Sequence, residues 1–306
     1  MKFIFKGYTL FILLVTLTIV SLFIGVSQLS LIDIFHLSDE QINILFSSRI
    51  PRTVSILLSG SSLALSGLIM QQMMQNKFVS PTTAGTMEWA KLGILMSLLF
   101  FPNGPILIKL LFAVVLSIVG TFLFVQLINL IRVKDVIFVP LLGIMIGGIL
   151  SSFTTFVALR TNALQSIGNW LTGNFAVITS GRFEVLYLTI PLLILAFVFA
   201  NHFTIAGMGK DFSHNLGVSY EKIIKIALFI TATLTALVVV TVGTLPFLGL
   251  IVPNIISIYR GDHLKNALPH TLMLGAIFVL IADIIGRIIV YPYERSEERR
   301  VGKERR

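Results

Sequence analysis

Long apolar segments separated by short polar ones dominate the chain. Each segment approaches the roughly twenty residues that a helix needs to cross a hydrocarbon layer of about 30 Å. The eighth segment is short and contains Pro253. The pattern predicts an all-α fold, a polytopic transmembrane helical bundle. Its nine predicted spans are residues 8–28, 52–72, 82–101, 106–130, 136–158, 185–203, 223–244, 247–259 and 270–291.

Composition strengthens this prediction and removes several other classes of protein. Of 306 residues, 56% are hydrophobic and 12% are charged, more apolar than a soluble domain requires. The formal charge of +9 would suit a nucleic-acid binder. Most Lys and Arg residues, however, lie in short loops, where they set membrane topology. The chain has no cysteine, which excludes disulfides and thiolate metal sites.

The distribution of Lys and Arg between the loops predicts a cytoplasmic N-terminus. The first apolar run is too long for a cleaved signal peptide and is predicted to be the first membrane helix. With the N-terminus inside, the ten inside residues are Lys2, Lys6, Lys77, Arg132, Lys134, Lys210, Lys222, Lys225, Arg260 and Lys265. The five outside residues are Arg49, Arg52, Lys109, Arg160 and Arg182. The bias follows the positive-inside rule, and we expect the chain in a cytoplasmic membrane with its N-terminus inside.

The last twelve residues, "RSEERRVGKERR" at 295–306, differ from everything before them. After nine spans they would lie outside, against the positive-inside pattern. One interpretation is a disordered charged tail. The favoured one is a transmembrane domain over 1–294 followed by a non-native tail, with a tenth helix missing. On that interpretation the chain as written is expected to insert poorly or fail to pair.

Six segments in a fixed order resemble one family of transporters. They are "RIPRTVSILLSGSSLALSGLIMQQ", "NKFVSPTTAG", "WLTGNF", "HNLGVSYEKI", "GTLPFLGLIVPNI" and "LIADIIGR". From about residue 8 to 294 the chain resembles FecCD-type permeases of iron–siderophore and vitamin B12 importers. The resemblance implies a type II ABC importer with two ten-helix permease subunits, as a homodimer or heterodimer. It also implies separate ATP-binding subunits and an extracytoplasmic binding protein that delivers the substrate.

Arg49 and Arg52 flank Pro51 at the start of the second span. Proline suits the first turn of a helix, where its missing N–H would have no partner. In the family, arginines of this motif and of "ADIIGR", here Arg287, receive acidic residues of the binding protein. Guanidinium groups bind carboxylates with two parallel hydrogen bonds. The alternatives are interfacial snorkelling and, for Arg287, an ion pair with Asp283 four residues earlier.

The longest inside loop, residues 204–225, corresponds in the family to the coupling helices that sit in a cleft of the ATPase. The resemblance predicts ATPase contacts at Ser213, Leu216, Gly217 and Val218. The alternative is an ordinary loop with Gly217 ending a helix. His214 is interpreted as a surface residue rather than a metal ligand.

Two segments at membrane depth are candidates for lining the transport pathway. Glu88 and Lys91 lie within the third span, where charges usually meet a partner or a wet cavity. They depart from the small residues usual in the family and resemble the catecholate-siderophore subgroup; the alternative is a self-contained pair packed on a neighbouring helix. Gly249 and Pro253 predict a broken helix lining the pathway. There Asn254 replaces the family's usual histidine and does not titrate.

The resemblance predicts a permease subunit that imports ferric siderophores. No phosphate-binding loop of the G-x-x-x-x-G-K-[ST] type is present, so ATP hydrolysis is assigned to a partner and the chain itself is not expected to be an enzyme. No cofactor or metal is expected. The alternatives are a vitamin B12 or haem importer of the same fold, an ion-coupled secondary transporter with Glu88 as its proton site, and a non-transporting scaffold. Trp170 is predicted to lie at the outer membrane interface.

Overall fold

The computed structural model describes residues 6–24, 39–131 and 135–290. These ranges are helical and contain no strand. The predicted domain end at 294 and the tail 295–306 lie outside the described residues. The helices are α1 (Gly7–Phe23), α2 (Asp39–Ile44), α3 (Ile50–Met73), α4 (Thr86–Phe100), α5 (Ile106–Leu130), α6 (Phe138–Arg160), α7 (Leu164–Leu171), α8 (Thr189–Val198), α9 (Ala200–Ala206), α10 (Lys210–Asn215), α11 (Tyr220–Thr241), α12 (Leu248–Arg260) and α13 (Leu264–Val290). A π-helical turn, Leu45–Arg49, joins α2 to α3, and 3₁₀ turns occupy Phe175–Val177 and Phe183–Leu188.

All nine predicted spans coincide with helices, which confirms the all-α membrane fold. Five continuous helical stretches in the described residues are long and apolar enough to cross a membrane: Gln41–Met73, Ile106–Leu130, Phe138–Arg160, Tyr220–Thr241 and Leu264–Ile289. A sixth forms if Phe183–Val198 and Ala200–Ala206 count as one span bent by 59°. The other three predicted spans are α1, α4 and α12, with 17, 15 and 13 helical residues. Over the described residues these three helices are shorter than the five continuous spans.

The core of the bundle lies on α3 and α11. In both, 78% of the most apolar window is buried, against 22% in α6. Small residues let neighbouring helices approach α3 closely. A Cβ atom on Gly60 would lie 2.7 Å from the carbonyl oxygen of Gly275 in α13, and one on Gly67 would lie 1.7 Å from that of Gly249 in α12. The backbones of α12 and α13 are thus in direct contact with α3.

The two ends of α3 define the two ends of the bundle. Arg49 and Arg52 lie beside the last turn of α1 and near the end of α13, which we call the arginine end. Gln72 and Gln75 lie beside the α9–α10 turn, which we call the glutamine end. Short helices α2 and α7 occupy segments for which the sequence predicted only loops, and α10 lies in the segment 204–225 that the resemblance likened to coupling helices.

Candidate functional sites at the two ends of the bundle

Arg49 lies in the π-helical turn before α3, with Pro51 following in the first turn of the helix. It is 3% exposed. Its Nη1 donates to the carbonyl oxygens of Leu22, at 2.7 Å, and Phe23, at 3.2 Å. These are among the last carbonyls of α1, which have no partner inside their own helix. Arg49 therefore caps the C-terminal end of α1, where a cation is also favoured by the helix dipole.

Arg287 caps the same end of α1 from the opposite side. It is 5% exposed, and its Nη1 lies 2.7 Å from the carbonyl oxygen of Ser21 and 2.8 Å from that of Ile24. Its Nη2 donates to the Ser21 hydroxyl at 2.7 Å. The sequence placed both Arg49 and Arg287 on a docking surface. In the structure both guanidinium groups donate to carbonyl oxygens at the end of α1, and their role in docking stays a prediction.

Asp283 joins Arg52 to Arg287. Its Oδ1 accepts from Arg52 Nη2 at 2.7 Å and from Arg52 Nε at 3.1 Å. Its Oδ2 accepts from Arg287 Nε at 2.8 Å and from Arg287 Nη2. The pairing of Arg287 with Asp283, the alternative raised by their spacing in the sequence, is thus observed. The five N–H groups of Arg287 are all engaged by Asp283, Ser21 and Ile24.

Arg52 is the least buried of the three arginines, with a side chain 13% exposed. It lines a cleft of about 570 Å³ together with Asp283, Arg287 and Asn174. The apolar wall of the cleft is formed by Phe175, Leu245, Pro246, Leu248, Phe278 and Val279. The cleft combines a guanidinium group with an apolar wall, an arrangement suited to a carboxylate-bearing segment. Docking at these arginines remains a prediction.

Trp170 lies between two cations near the same end of the bundle. The guanidinium carbon of Arg182 is 4.2 Å from the centre of its ring, and the ammonium of Lys109 is 5.5 Å away. Lys109 also donates to the carbonyl oxygen of Gly104 at 2.6 Å. Cations over a tryptophan face are attracted by the negative face of the ring. The sequence predicted an interfacial Trp170 but missed both of these partners.

The predicted ATPase contacts lie in and after α10. Ser213 is fully buried, and its hydroxyl lies 2.8 Å from the carbonyl oxygen of Gly209 and 3.2 Å from that of Ile205. Its side chain therefore stabilises the turn from within, and a contact of Ser213 with the ATPase stays a prediction. Leu216 is exposed, and Gly217 ends the helix with φ +71°. Val218 is partly buried against the core, with its N–H donating to Ser213 O at 2.9 Å.

Two further residues of this segment were missed by the sequence analysis. Met208 and Phe212 are exposed large apolar side chains, as is Leu216. Met208 lies in the turn before α10, Phe212 within α10 and Leu216 directly after it, at intervals of four residues. That periodicity in an otherwise polar loop was the available signal. The exposed apolar patch at the glutamine end is therefore Met208, Phe212 and Leu216.

Glu88 and Lys91 form an ion pair in α4, with Lys91 Nζ 2.6 Å from Glu88 Oε1. Both side chains are about one-fifth exposed. Glu88 packs against α6, since a Cβ atom on Gly147 would lie 3.4 Å from Glu88 Cγ. The geometry agrees with the alternative of a self-contained pair on a neighbouring helix. A role in lining the pathway remains a prediction.

Pro253 does not break its helix as the sequence predicted. Helix α12 continues through it from Leu248 to Arg260, and the chain instead bends before α12, at Phe247 with φ 64°. Pro253 has no N–H to donate to the carbonyl oxygen of Gly249. That carbonyl oxygen packs on Gly67 of α3. Asn254 donates from Nδ2 to the carbonyl oxygens of Lys77 and Leu250, both at 2.9 Å. It therefore fixes the α3–α4 connection to α12.

The described residues contain no group of three His, Cys, Asp or Glu side chains that could hold a metal ion. His214 is exposed at the end of α10. The arrangement as a whole is one of buried structural ion pairs and helix caps, with polar clefts at both ends of an apolar bundle.

Fold and sites together define a multi-pass membrane permease. Residues 13–296 match the FecCD transport family, and the chain belongs to that family. This confirms the resemblance found in the sequence. The computed fold superposes on a metal-chelate type ABC transporter in an inward-facing conformation with a TM-score of 0.78. That match covers 92% of this chain and 90% of the other at 23% identity, and it supports the fold alone.

Curated relatives include three siderophore permeases. The petrobactin import system permease protein YclN of Bacillus subtilis is 55% identical over 287 residues, covering 94% of this chain and 91% of YclN. The petrobactin import permease FatD of Bacillus anthracis is 38% identical and covers 92% of this chain and 83% of its own length. The ferric-anguibactin transport permease FatD of Vibrio anguillarum is 36% identical, and the match covers 91% of this chain and 89% of that protein.

Proposed function

We propose that this chain is the membrane-spanning subunit of an ABC importer for ferric siderophores of the petrobactin and anguibactin kind. The observation that supports this most strongly is the 55% identity to a petrobactin import permease over 94% of the chain. The two further siderophore permeases, at 38% and 36% identity, extend the support to the subgroup that the sequence predicted.

The partners follow from the subunit composition of such importers. They are a second permease subunit, ATP-binding subunits on the cytoplasmic side and an extracytoplasmic siderophore-binding protein. The positive-inside bias supports an orientation with the N-terminus and the glutamine end in the cytoplasm. The arginine end then faces outward. Because a siderophore complex is large and polar, it does not cross lipid unaided and requires this pathway.

The two ends of the bundle suit these partners. At the arginine end, Arg52 lines the outer cleft and is positioned by Asp283, while Arg49 and Arg287 hold α1 in place. An acidic side chain of the binding protein is proposed to bind at Arg52. At the glutamine end, the apolar patch of Met208, Phe212 and Leu216 is proposed to sit against the ATPase. Glu88, Lys91 and Asn254 are proposed to border the pathway between the two ends.

Uptake of radiolabelled ferric catecholate siderophore by iron-starved cells tests the proposal. A gene deletion is compared with the deletion restored by the full-length gene, with the ATPase intact or inactivated. Uptake is expected only where both the gene and a working ATPase are present. Uptake indifferent to the gene would overturn the siderophore assignment, and haem and vitamin B12 would be the next substrates to measure.

A further inference from the structure

The segment "QQMMQ" at the end of α3 contacts two neighbouring elements through its glutamines. Gln71 donates to the carbonyl oxygen of Leu250 in α12 at 3.3 Å. Gln75 donates to the carbonyl oxygen of Gly207 at 3.1 Å. Gln72 packs directly on Gly207. The end of α3 is therefore attached both to α12 and to the residue where α9 turns toward α10.

The contact between Gln72 and Gly207 leaves no room for a side chain at 207. A Cβ atom there would lie 2.2 Å from Gln72 Nε2, 2.6 Å from its Cγ and 2.7 Å from its Cδ. The backbone of Gly207, with φ −65° and ψ −13°, is an ordinary right-handed conformation that any residue adopts. The close contact at 207 thus comes from the packing of the flexible Gln72 side chain and not from the backbone conformation.

Hydrogen bonds on both sides of Gly207 join the end of α9 to α10. Gly209 donates from N to the carbonyl oxygen of Ala206 at 3.0 Å. The buried Ser213 hydroxyl lies near the carbonyl oxygens of Gly209 and Ile205, on the two sides of the turn. The turn and α10 are therefore one stiff unit. Beside the junction, a cleft of about 450 Å³ opens between α3, Thr204, Asp262 and His263.

We propose that Gln72 and Gly207 form the junction that transmits movement of α10 to α3. The inference rests on the proposed function, in which an ATPase subunit moves α10. Helix α3 is continuous over its 24 residues, and its other end positions Arg52 at the outer cleft. Rigid elements in van der Waals contact move together because close-packed interfaces resist compression. Gln72 and Gly207 are positioning residues in this scheme, since neither is assigned a contact with substrate or ATP.

A single methyl group at the junction tests the proposal. Gly207→Ala forces the flexible Gln72 side chain to turn away, which the fold tolerates. Gly168→Ala is the matched control, because a Cβ atom at Gly168 in α7 has nothing within 4 Å. In the assembled importer, Gly207→Ala is expected to lower siderophore uptake and binding-protein-stimulated ATP hydrolysis roughly three- to tenfold, the range typical of altered coupling. Yield, co-purification of the ATPase and its basal rate are expected to stay at the wild-type level.

The double variant Gln72→Ala/Gly207→Ala separates coupling from simple misfolding. The added methyl occupies space that the shortened residue at 72 vacates, so the double variant is expected to recover a large part of the uptake lost in Gly207→Ala. Siderophore uptake at the wild-type level by the Gly207→Ala variant would overturn the proposed junction. Equal loss of uptake and yield in both the single and the double variant would also overturn it, because the contact would then serve folding alone.

A cross-link provides an independent measurement, since the chain has no cysteine. Gln72→Cys/Gly207→Cys is expected to form a disulfide on mild oxidation and to keep transporting, because a junction that moves as one unit stays closed throughout the cycle. Transport blocked by oxidation and restored by reductant would show that the contact opens, which contradicts the proposal. If the wild-type importer shows no ATP-dependent siderophore uptake, the proposed function fails and the junction fails with it. Normal wild-type uptake with a failed variant test rejects the junction only.

Discussion

Arg52 and Asp283 are 231 positions apart in the chain and form an ion pair, with Nη2 of the arginine 2.7 Å from Oδ1 of the carboxylate. The other oxygen of Asp283 accepts from Arg287. One buried carboxylate therefore holds α3 and α13 together. It also determines the direction in which Arg52 faces the outer cleft, so the stability of the bundle and the geometry of the proposed docking site depend on the same residue.

Asp283→Asn is expected to destabilise the protein strongly. The Asp283 side chain is 5% exposed. Replacing its carboxylate by an amide leaves the guanidinium groups of Arg52 and Arg287 without the negative charge that they surround. Breaking a buried ion pair on one side typically costs about 3–5 kcal/mol. Thermal unfolding of the detergent-solubilised protein, followed by loss of the monodisperse peak, measures the effect. Asp262→Asn is the control, since that carboxylate is 63% exposed, pairs with Lys77 at 3.4 Å and is worth roughly 0–1 kcal/mol.

Arg52→Ala is expected to weaken docking of the binding protein, whereas Arg287→Ala is expected to weaken the fold. Without Arg52, Asp283 keeps its pairing with Arg287, so the fold is expected to persist while affinity for the binding protein falls at least about tenfold. Without Arg287, the carbonyls of Ser21 and Ile24 lose their cap, and yield is expected to fall first. Binding of the siderophore-binding protein to purified importer at low and high salt distinguishes them. Unchanged affinity of a well-folded Arg52→Ala variant would contradict the assignment of docking to Arg52.

The sequence predicted the helices well because apolar length and order are local properties. It predicted the family from six ordered motifs, and the Arg287–Asp283 pair from a spacing of four residues. It failed where the partner lies far along the chain. The carbonyls of α1 that engage Arg49, the carboxylate shared with Arg52 and the packing of Gln72 on Gly207 have no local pattern. Pro253 was misjudged because tertiary packing of α12 on α3 outweighed the helix-breaking tendency of proline.

Gly67→Ala is expected to disrupt the crossing of α3 and α12. The new Cβ atom would lie 1.7 Å from the carbonyl oxygen of Gly249, a backbone atom that has no rotamer by which to move away. Overpacking a close contact costs about 1–3 kcal/mol and more where backbone must shift. Gly148→Ala in α6 is the control, because nothing lies within 4 Å of its Cβ position. The ratio of assembled to aggregated protein after solubilisation is the measurement, and equal values for the two variants would contradict the close approach.

Glu88→Gln separates ATP-driven import from ion-coupled transport. The carboxylate is already paired with Lys91 at 2.6 Å and packs on α6. The substitution leaves Lys91 without its charge partner at membrane depth, which is expected to reduce yield or rate several-fold, about 1 kcal/mol in effect. The remaining uptake is expected to keep its full dependence on the ATPase and to be unaffected by a protonophore in proteoliposomes supplied with ATP.

Ion-coupled transport would give a different set of results in the same measurements. An ion-coupled carrier would lose all gradient-dependent transport in Glu88→Gln, because the group that takes up and releases the proton is gone. Wild-type proteoliposomes would then accumulate siderophore without ATP when a proton gradient is imposed. Lys91→Gln is the matched second variant, since it breaks the same pair while keeping the carboxylate. Similar partial losses in both variants would show that the pair acts through its packing, whereas complete loss in Glu88→Gln alone would identify Glu88 as the coupling site and reject the ATP-driven mechanism.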